Sequence, residues 1–205
     1  MYAPMNAPMN ATARRTEEAR VGPNAVIQLG ETLIAHDALG LAQRVYLAAG
    51  HLDWLRNPPA AMVSEADVAA LHGALNRLAP PHEARAFAAE AGRRTGDYIL
   101  ANRIPRIAQK ILRALPAPMA GRLLLKAIGR HAWTFAGSGR FACEPGRSLR
   151  FSIADNPLAQ PGGCVWHEAV FTRLFQELVH PGVVVREIAC CACGDEACRF
   201  EPRPR

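Results

Sequence analysis

The stretch Cys190-Cys191-Ala192-Cys193-Gly194-Asp195-Glu196-Ala197-Cys198 places four cysteines in nine positions, and the fold is read outward from it. A fifth, Cys164, lies 26 residues before Cys190, and Glu187 stands three positions ahead of the cluster. Thiols this dense, in a chain that shows no secretory context, point to a metal before they point to disulfides. Zinc takes four Cys, His or carboxylate ligands in a tetrahedron.

The flanking sequence supplies elements that could carry such ligands. Val183 to Ala189 is a β-branched strand and Ala197 to Glu201 a second, with Gly194-Asp195 suited to a tight hairpin turn. Val165 to Val179 is an amphipathic helix with Trp166, Ala169, Val170, Leu174 and Leu178 inward, ended by Pro181-Gly182. Cys164 opens that helix, where the N-terminus favours a thiolate. Strand alternation leaves one choice open. In a two-residue hairpin Cys191 lies across from Cys198, and Glu187, Cys191 and Cys193 share a face; using Cys190 with Glu187 requires a bulge. Two other readings compete: cysteines buried as small hydrophobes, and an iron–sulfur cluster. Cys193-x4-Cys198 begins like a plant-type ferredoxin, but the following Cys-x2-Cys is missing.

Upstream the chain reads as helices: Asn24 to His36, Leu39 to Leu55, a helix capped by Ser64 and ending near Leu78, and His82 to Asn102. Gly92 and Gly96, four apart, predict close approach of another element. Pro105 opens a further helical stretch, and Leu123 to Ile128 is apolar on nearly all sides, suited to a buried helix or a pocket wall. Thr134 to Cys143 and Ser148 to Ala154 read as strands joined by a turn at Glu144-Pro145-Gly146-Arg147. The fold class is α+β, with helices first and then a mostly antiparallel sheet crossed by one helix.

The net charge of +6 comes from 22 arginines and two lysines, Lys110 and Lys126. The arginines are scattered and aromatic residues make up only 6 %, which argues against a nucleic-acid platform. The first twenty residues repeat Ala-Pro-Met-Asn and read as a disordered leader of a cytoplasmic protein. No run reaches the roughly 18 apolar residues of a membrane span.

At Cys190-x3-Gly194-Asp195-x2-Cys198-x-Phe200 the chain resembles the 4-vinyl reductase (4VR) domain family. The spacing Cys164-x22-Glu187-x2-Cys190-x7-Cys198 resembles the zinc site of 4VR-type sensor domains in aromatic-responsive activators. Arg20-Val21-Gly22-Pro23-Asn24-Ala25, Glu90-Ala91-Gly92-Arg93-Arg94-Thr95-Gly96 and the His131-Ala132-Trp133 region resemble bacteriochlorophyll 4-vinyl reductase proteins of purple phototrophic bacteria. The resemblance implies structural zinc on Cys164, Glu187, Cys190 and Cys198, and so selects Cys190 over Cys191. It implies a trafficking-subunit-like fold, with a helical layer on an antiparallel sheet and a zinc-clamped C-terminal hairpin. The domain would span residues 21–202, mainly helical over 21–131, with the sheet, one helix and the metal site over 132–202.

For function, the resemblance implies binding of a magnesium tetrapyrrole of the divinyl protochlorophyllide or chlorophyllide type during 8-vinyl (old 4-vinyl) reduction. The expected partners are that ligand, other bacteriochlorophyll-pathway enzymes and a second copy in a homodimer, with no nucleic acid. The expected location is cytoplasmic, peripheral to the photosynthetic membrane. A true reductase needs NADPH or a flavin. The only glycine-rich candidate, Gly137-Ser138-Gly139, has strand-like flanks where a dinucleotide fingerprint opens a helix. A carrier is therefore favoured over an NAD(P)H-dependent enzyme, with a hydrophobic-ligand sensor as a third reading. Arg94 and Arg130 are candidates for a ligand carboxylate, with Arg93, Arg103 and Arg106 beside them. His131, next to Trp133, is the candidate magnesium contact, while His167 and His180 read as surface residues.

Overall fold

The computed structural model describes residues 19–146 and 148–204. The proposed leader therefore falls almost wholly outside the described residues. Its last residue, Arg20, pairs with Ser64 in a two-stranded sheet formed by β1 (Arg20–Val21) and β2 (Val63–Ser64).

Six helices dominate the first two-thirds: α1 (Asn24–Ala35), α2 (Leu39–Ala48), α3 (Glu65–Leu78), α4 (Pro81–Asn102), α5 (Arg106–Ala114) and α6 (Ala117–Arg130). Helix α3 starts as its sequence dictates: Ser64 Oγ accepts the Ala66 N–H at 3.2 Å, with Glu65 and Asp67 in the first turn. The stretch expected as one helix to Leu55 stops at Ala48 and resumes as a 3-10 turn over Leu52–Leu55. Leu123 to Ile128 is amphipathic in α6 rather than buried on all sides: Leu124, Leu125 and Ile128 face inward and Leu123 is exposed.

The expected strand over Thr134 to Cys143 divides in two. Trp133–Ala136 is a short helix, α7, and only Arg140–Cys143 forms a strand, β3. The cause is the turn at Gly137, where φ is +55°. Ser138 donates its N–H and hydroxyl to the Glu65 carboxylate, so the glycine-rich segment is a tied turn entering a strand.

Strands β3, β4 (Phe151–Ala154), β6 (Ala197–Pro204) and β5 (Val183–Ala189) form an antiparallel sheet in that order. Helix α8 (Val165–Leu178) lies between this sheet and α4. Its Phe171 and Phe175 are buried with Phe151 of β4 and Phe200 of β6. Phe151 and Phe171 meet edge to face at 4.8 Å, and Phe151 stacks on Phe200 at 5.4 Å. On the other side α8 crosses α4 at its glycines. A Cβ at Gly92 would lie 2.4 Å from the Trp166 carbonyl oxygen, and one at Gly96 2.7 Å from Arg173 Cβ. The fold is α+β with an antiparallel sheet, as the sequence predicts.

Candidate metal centre and adjoining cavity

Three elements converge at the N-terminus of α8. Gly162 and Gly163 both adopt positive φ, +94° and +103°, and deliver Cys164 to the helix start. A Cβ at Gly163 would sit 2.9 Å from Glu187 Oε2, so glycine also makes room for that carboxylate. Glu187 projects from β5, Cys190 follows the end of that strand, and Cys198 lies on β6.

The two-residue hairpin expected between them is replaced by a longer device. The β5–β6 register shifts between Glu187 and Ala189, a bulge. Cys191–Cys193 forms a 3-10 turn closed by Gly194 at φ +100°. The Cys190 carbonyl accepts the N–H groups of Cys193 and Asp195, and the Cys190 N–H donates to the Asp195 carboxylate at 2.8 Å. These bonds turn the Cys190 side chain inward. Cys191 is left beside the Ile153 carbonyl and Cys193 is exposed.

The ligand atoms of Cys164, Glu187, Cys190 and Cys198 all lie within 4.8 Å of one another. The sulfurs are 3.4 Å (Cys164–Cys198), 3.9 Å (Cys164–Cys190) and 4.0 Å (Cys190–Cys198) apart. A tetrahedral ion with metal–sulfur bonds of about 2.3 Å holds its sulfurs about 3.8 Å apart, so the spacing suits zinc. Glu187 Oε2 accepts the Cys164 N–H at 2.6 Å, while Oε1 is buried with no hydrogen-bond partner. An orphaned buried carboxylate oxygen beside three thiols is the donor that a cation completes. The residues fit a metal, and the protein fills all four positions, the mark of a structural site rather than an open catalytic one.

A second layer supports the sulfurs. Asn156 donates through Nδ2 to Cys164 Sγ (3.5 Å) and Cys198 Sγ (3.4 Å), and the Cys191 N–H donates to Cys198 Sγ at 3.4 Å. The Cys164 thiol and these donors bring the Cys198 thiol down to about 6. Cys164, expected from its helix N-terminus to be the low one, is pushed up instead, because it donates to Cys198, is buried and faces the Glu187 charge. Burial, then Glu187, pushes Cys190 up to about 12. A bound cation reverses these upward shifts, since coordinating thiols deprotonate. Nothing in the sequence singles out Asn156; its place next to Pro157 reads only as a turn.

The segment leading into Cys164 also forms one wall of a cavity of about 440 Å³ between α3, α4 and α8. Leu75, Ala88, Leu158 and Trp166 give it apolar walls, and the exposed Arg77 and Arg85 stand at its rim. The Trp166 indole N–H is buried and has no acceptor. His72, in the same wall, is buried and bonds through Nε2 to the Ala25 carbonyl at 3.1 Å. His167, expected at the surface, is buried and stacked on Phe171, its Nε2 reaching the Phe135 carbonyl. Burial lowers both histidines, His167 to about 4, so both are neutral at pH 7.

The ligand candidates named from sequence lie elsewhere. Arg94 is paired with Glu90 on α4, and Arg130, His131 and Trp133 are exposed where α6 ends. None of the four lines the cavity. Arg77 and Arg85 carry no sequence signal beyond being single basic residues on helices.

Residues 150–204, which contain all four ligand positions together with β4, α8, β5 and β6, match the model of the vinyl-4-reductase (4VR) domain. Over 91 % of its length the chain is 50 % identical to the bacteriochlorophyll synthase 23 kDa chain of Cereibacter sphaeroides, covering 91 % of that protein. It is 43 % identical over 95 % of its length to the protein of the same name from Rhodobacter capsulatus, covering 92 % of it. The chain belongs to this 4VR-domain family of 23 kDa chains. Beyond the family, the fold is similar to that of an H-NOX protein from S. oneidensis. That likeness has a TM-score of 0.51 at 9 % identity, over 90 % of this chain and 99 % of the other. At that identity it speaks to the fold alone.

Proposed function

We propose that the protein serves bacteriochlorophyll biosynthesis by binding a magnesium tetrapyrrole in the α3–α4–α8 cavity and carrying it to, or holding it for, reduction of its 8-vinyl group. The kinship with two chains named for bacteriochlorophyll synthesis supports the pathway. The observation that carries the ligand reading is the cavity itself. Its volume of about 440 Å³ lies within the roughly 300–1,000 Å³ usual for small-molecule sites. Its walls are apolar, its indole N–H lacks an acceptor, and two arginines stand at the mouth.

In this reading each residue has a separate task. Arg77 and Arg85 hold the carboxylate of the ligand at the rim, where the guanidinium fork suits a carboxylate. Trp166 gives its N–H to a carbonyl of the ligand. His72 donates Nε2–H to Ala25, which leaves Nδ1 as the lone-pair nitrogen and the candidate axial contact to magnesium. Zinc on Cys164, Glu187, Cys190 and Cys198 fixes the wall that Trp166 belongs to, without touching the ligand.

Titration with divinyl chlorophyllide, followed by absorption with and without NADPH, tests the reading. A carrier gives a saturable spectral shift without turnover, weakened by Arg77→Ala with Arg85→Ala and by Trp166→Phe. Conversion to the monovinyl product by protein and NADPH alone would show a reductase instead. Binding untouched by those substitutions removes the cavity from the reading.

A further inference from the structure

The sequence from Tyr98 to Cys143 holds eight of the 24 basic residues and none of the 18 acidic ones, which leaves the remainder of the chain slightly acidic. Most of this segment folds into the α5–α6 helical hairpin and α7. Leu112 is the only buried residue of α5, so this helix lies on the surface. Ile107 is 74 % exposed and Ile111 52 % on α5, Met119 55 % and Leu123 44 % on α6, and Trp133 58 % just beyond it. The α5 pair and the α6 pair are each spaced by four, so each helix carries a short apolar ridge in water.

Cations flank both ridges. Arg113 and Arg140 of this segment are paired, with Glu177 and Asp155. Arg106, Lys110, Arg122, Lys126 and Arg130 have no acidic partner within ion-pair distance among the described residues. A helix with an exposed apolar ridge beside unpaired Lys and Arg is the device that lies in a bilayer interface: cations seat at lipid phosphates and the ridge enters the acyl boundary. Trp prefers that boundary too, with an apolar body and a polar N–H. None of the described helices is long and apolar enough to cross a membrane, which fits a helix pair lying on the surface.

We propose that the α5–α6 hairpin, with Arg130 and Trp133 at its end, docks this protein on an anionic lipid surface. The proposal does not depend on the tetrapyrrole reading, and its test contains no tetrapyrrole. The full chain would be floated with phosphatidylcholine vesicles, alone or with about one-third phosphatidylglycerol, at low salt and at about 0.5 M salt, where the Debye length is a few ångströms. Expected is binding to the anionic vesicles, about tenfold or more weaker on phosphatidylcholine and falling with salt. Arg122→Glu with Lys126→Glu, and separately Ile107→Ser with Leu123→Ser, should each weaken it by about tenfold. Arg44→Glu with Arg56→Glu, exposed elsewhere, serves as the charge control and should bind as wild type. Brominated lipid should quench Trp fluorescence, and Trp133→Phe should abolish most of that quenching. Unchanged thermal midpoints establish that the variants are folded.

Absence of vesicle binding overturns the proposal, including the case in which an acidic protein or nucleic acid binds this face instead. So does equal binding to both vesicle types. Loss with the charge pair but not with the apolar pair, without quenching of Trp133, also overturns it, since that is adsorption of a basic protein without insertion.

Discussion

Helix α8 meets two different surroundings along its length. Across from α4, side chains have been removed: Gly92 and Gly96 let the Trp166 carbonyl and the Arg173 stem come into backbone contact. At its N-terminus, polar groups have been concentrated: three thiols, an orphaned carboxylate oxygen and the Asn156 amide share one buried corner. The first joint is stable by shape alone. The second, without a cation, is a set of buried groups that resist ionisation together. Close packing therefore sets where α8 lies, while the corner makes the position of β5, β6 and the cavity wall conditional on a metal.

The largest expected effect breaks the second joint. Cys198→Ser, or removal of zinc by a chelator, should cost several kcal/mol, since structural zinc supplies on the order of 10 kcal/mol in small peptides. Urea unfolding gives the magnitude, and elemental analysis before and after chelation gives the metal. Hydrogen exchange sharpens the contrast: protection should be lost over β5 and β6 and largely kept over α4. Purified protein without zinc, or a Cys198→Ser midpoint equal to wild type, would sink the clip.

Acid tests the helix just past that corner. His167 is buried and neutral, with its pKa lowered from 6.5 to about 4. Between those values the unfolded chain binds a proton that the folded one does not, so stability falls as pH drops from 6.5 toward 4. The slope from this one group is at most about 1.4 kcal/mol per pH unit. His72 acts in the same direction. The difference in stability between wild type and His167→Leu should therefore be flat above pH 6.5 and shift against wild type below it. Parallel pH curves for the two proteins would remove His167 from the account.

The first joint offers a test of sign. In an exposed helix Gly→Ala gains about 1 kcal/mol. At Gly92 the new methyl would stand 2.4 Å from the Trp166 carbonyl oxygen, a backbone atom that cannot rotate away. Overpacking of this kind costs typically about 1–3 kcal/mol, so Gly92→Ala should destabilise by about 1–2 kcal/mol net, read from the urea midpoint. A stabilised variant would mean that α4 and α8 stand further apart than this contact requires.

The two joints also differ in how far the sequence discloses them. The crossing is legible from one strand of evidence, two glycines four apart in a helix, because that spacing has one usual structural use. The corner is legible only in outline. Cysteine density points to a metal, but alternation along β5 selects Cys191, and only the family resemblance selects Cys190. The reason lies in the bulge after Glu187 and the 3-10 turn through Cys193, which depend on the Asp195 carboxylate capturing the Cys190 N–H. A side-chain bond across five residues has no periodicity to reveal it. Trp133 to Ala136 misleads for a related cause: residues with good strand propensity become helical because Gly137 turns the chain and Glu65, far away in sequence, ties down Ser138. Arg77, Arg85 and Asn156 carry no local signal, since their roles arise from where α3, α4 and the loop before α8 meet.

The smallest expected effect separates ligand from bystander within the cluster. Cys193 is exposed, and its N–H donates to the Cys190 carbonyl. Cys193→Ser keeps that bond and should shift stability by no more than about 0.5 kcal/mol, with zinc content unchanged. Cys191→Ser is the harder case, because alternation would make it a ligand. In the structure Cys191 gives the centre only its N–H, to Cys198 Sγ, and serine keeps that N–H. Its side chain is half-buried against the Ile153 carbonyl, so a modest cost of about 1 kcal/mol is expected, again with full zinc occupancy. Loss of zinc in Cys191→Ser, with Cys190→Ser retaining it, would move the ligand by one residue. It would also require β5 to run unbulged into a two-residue hairpin.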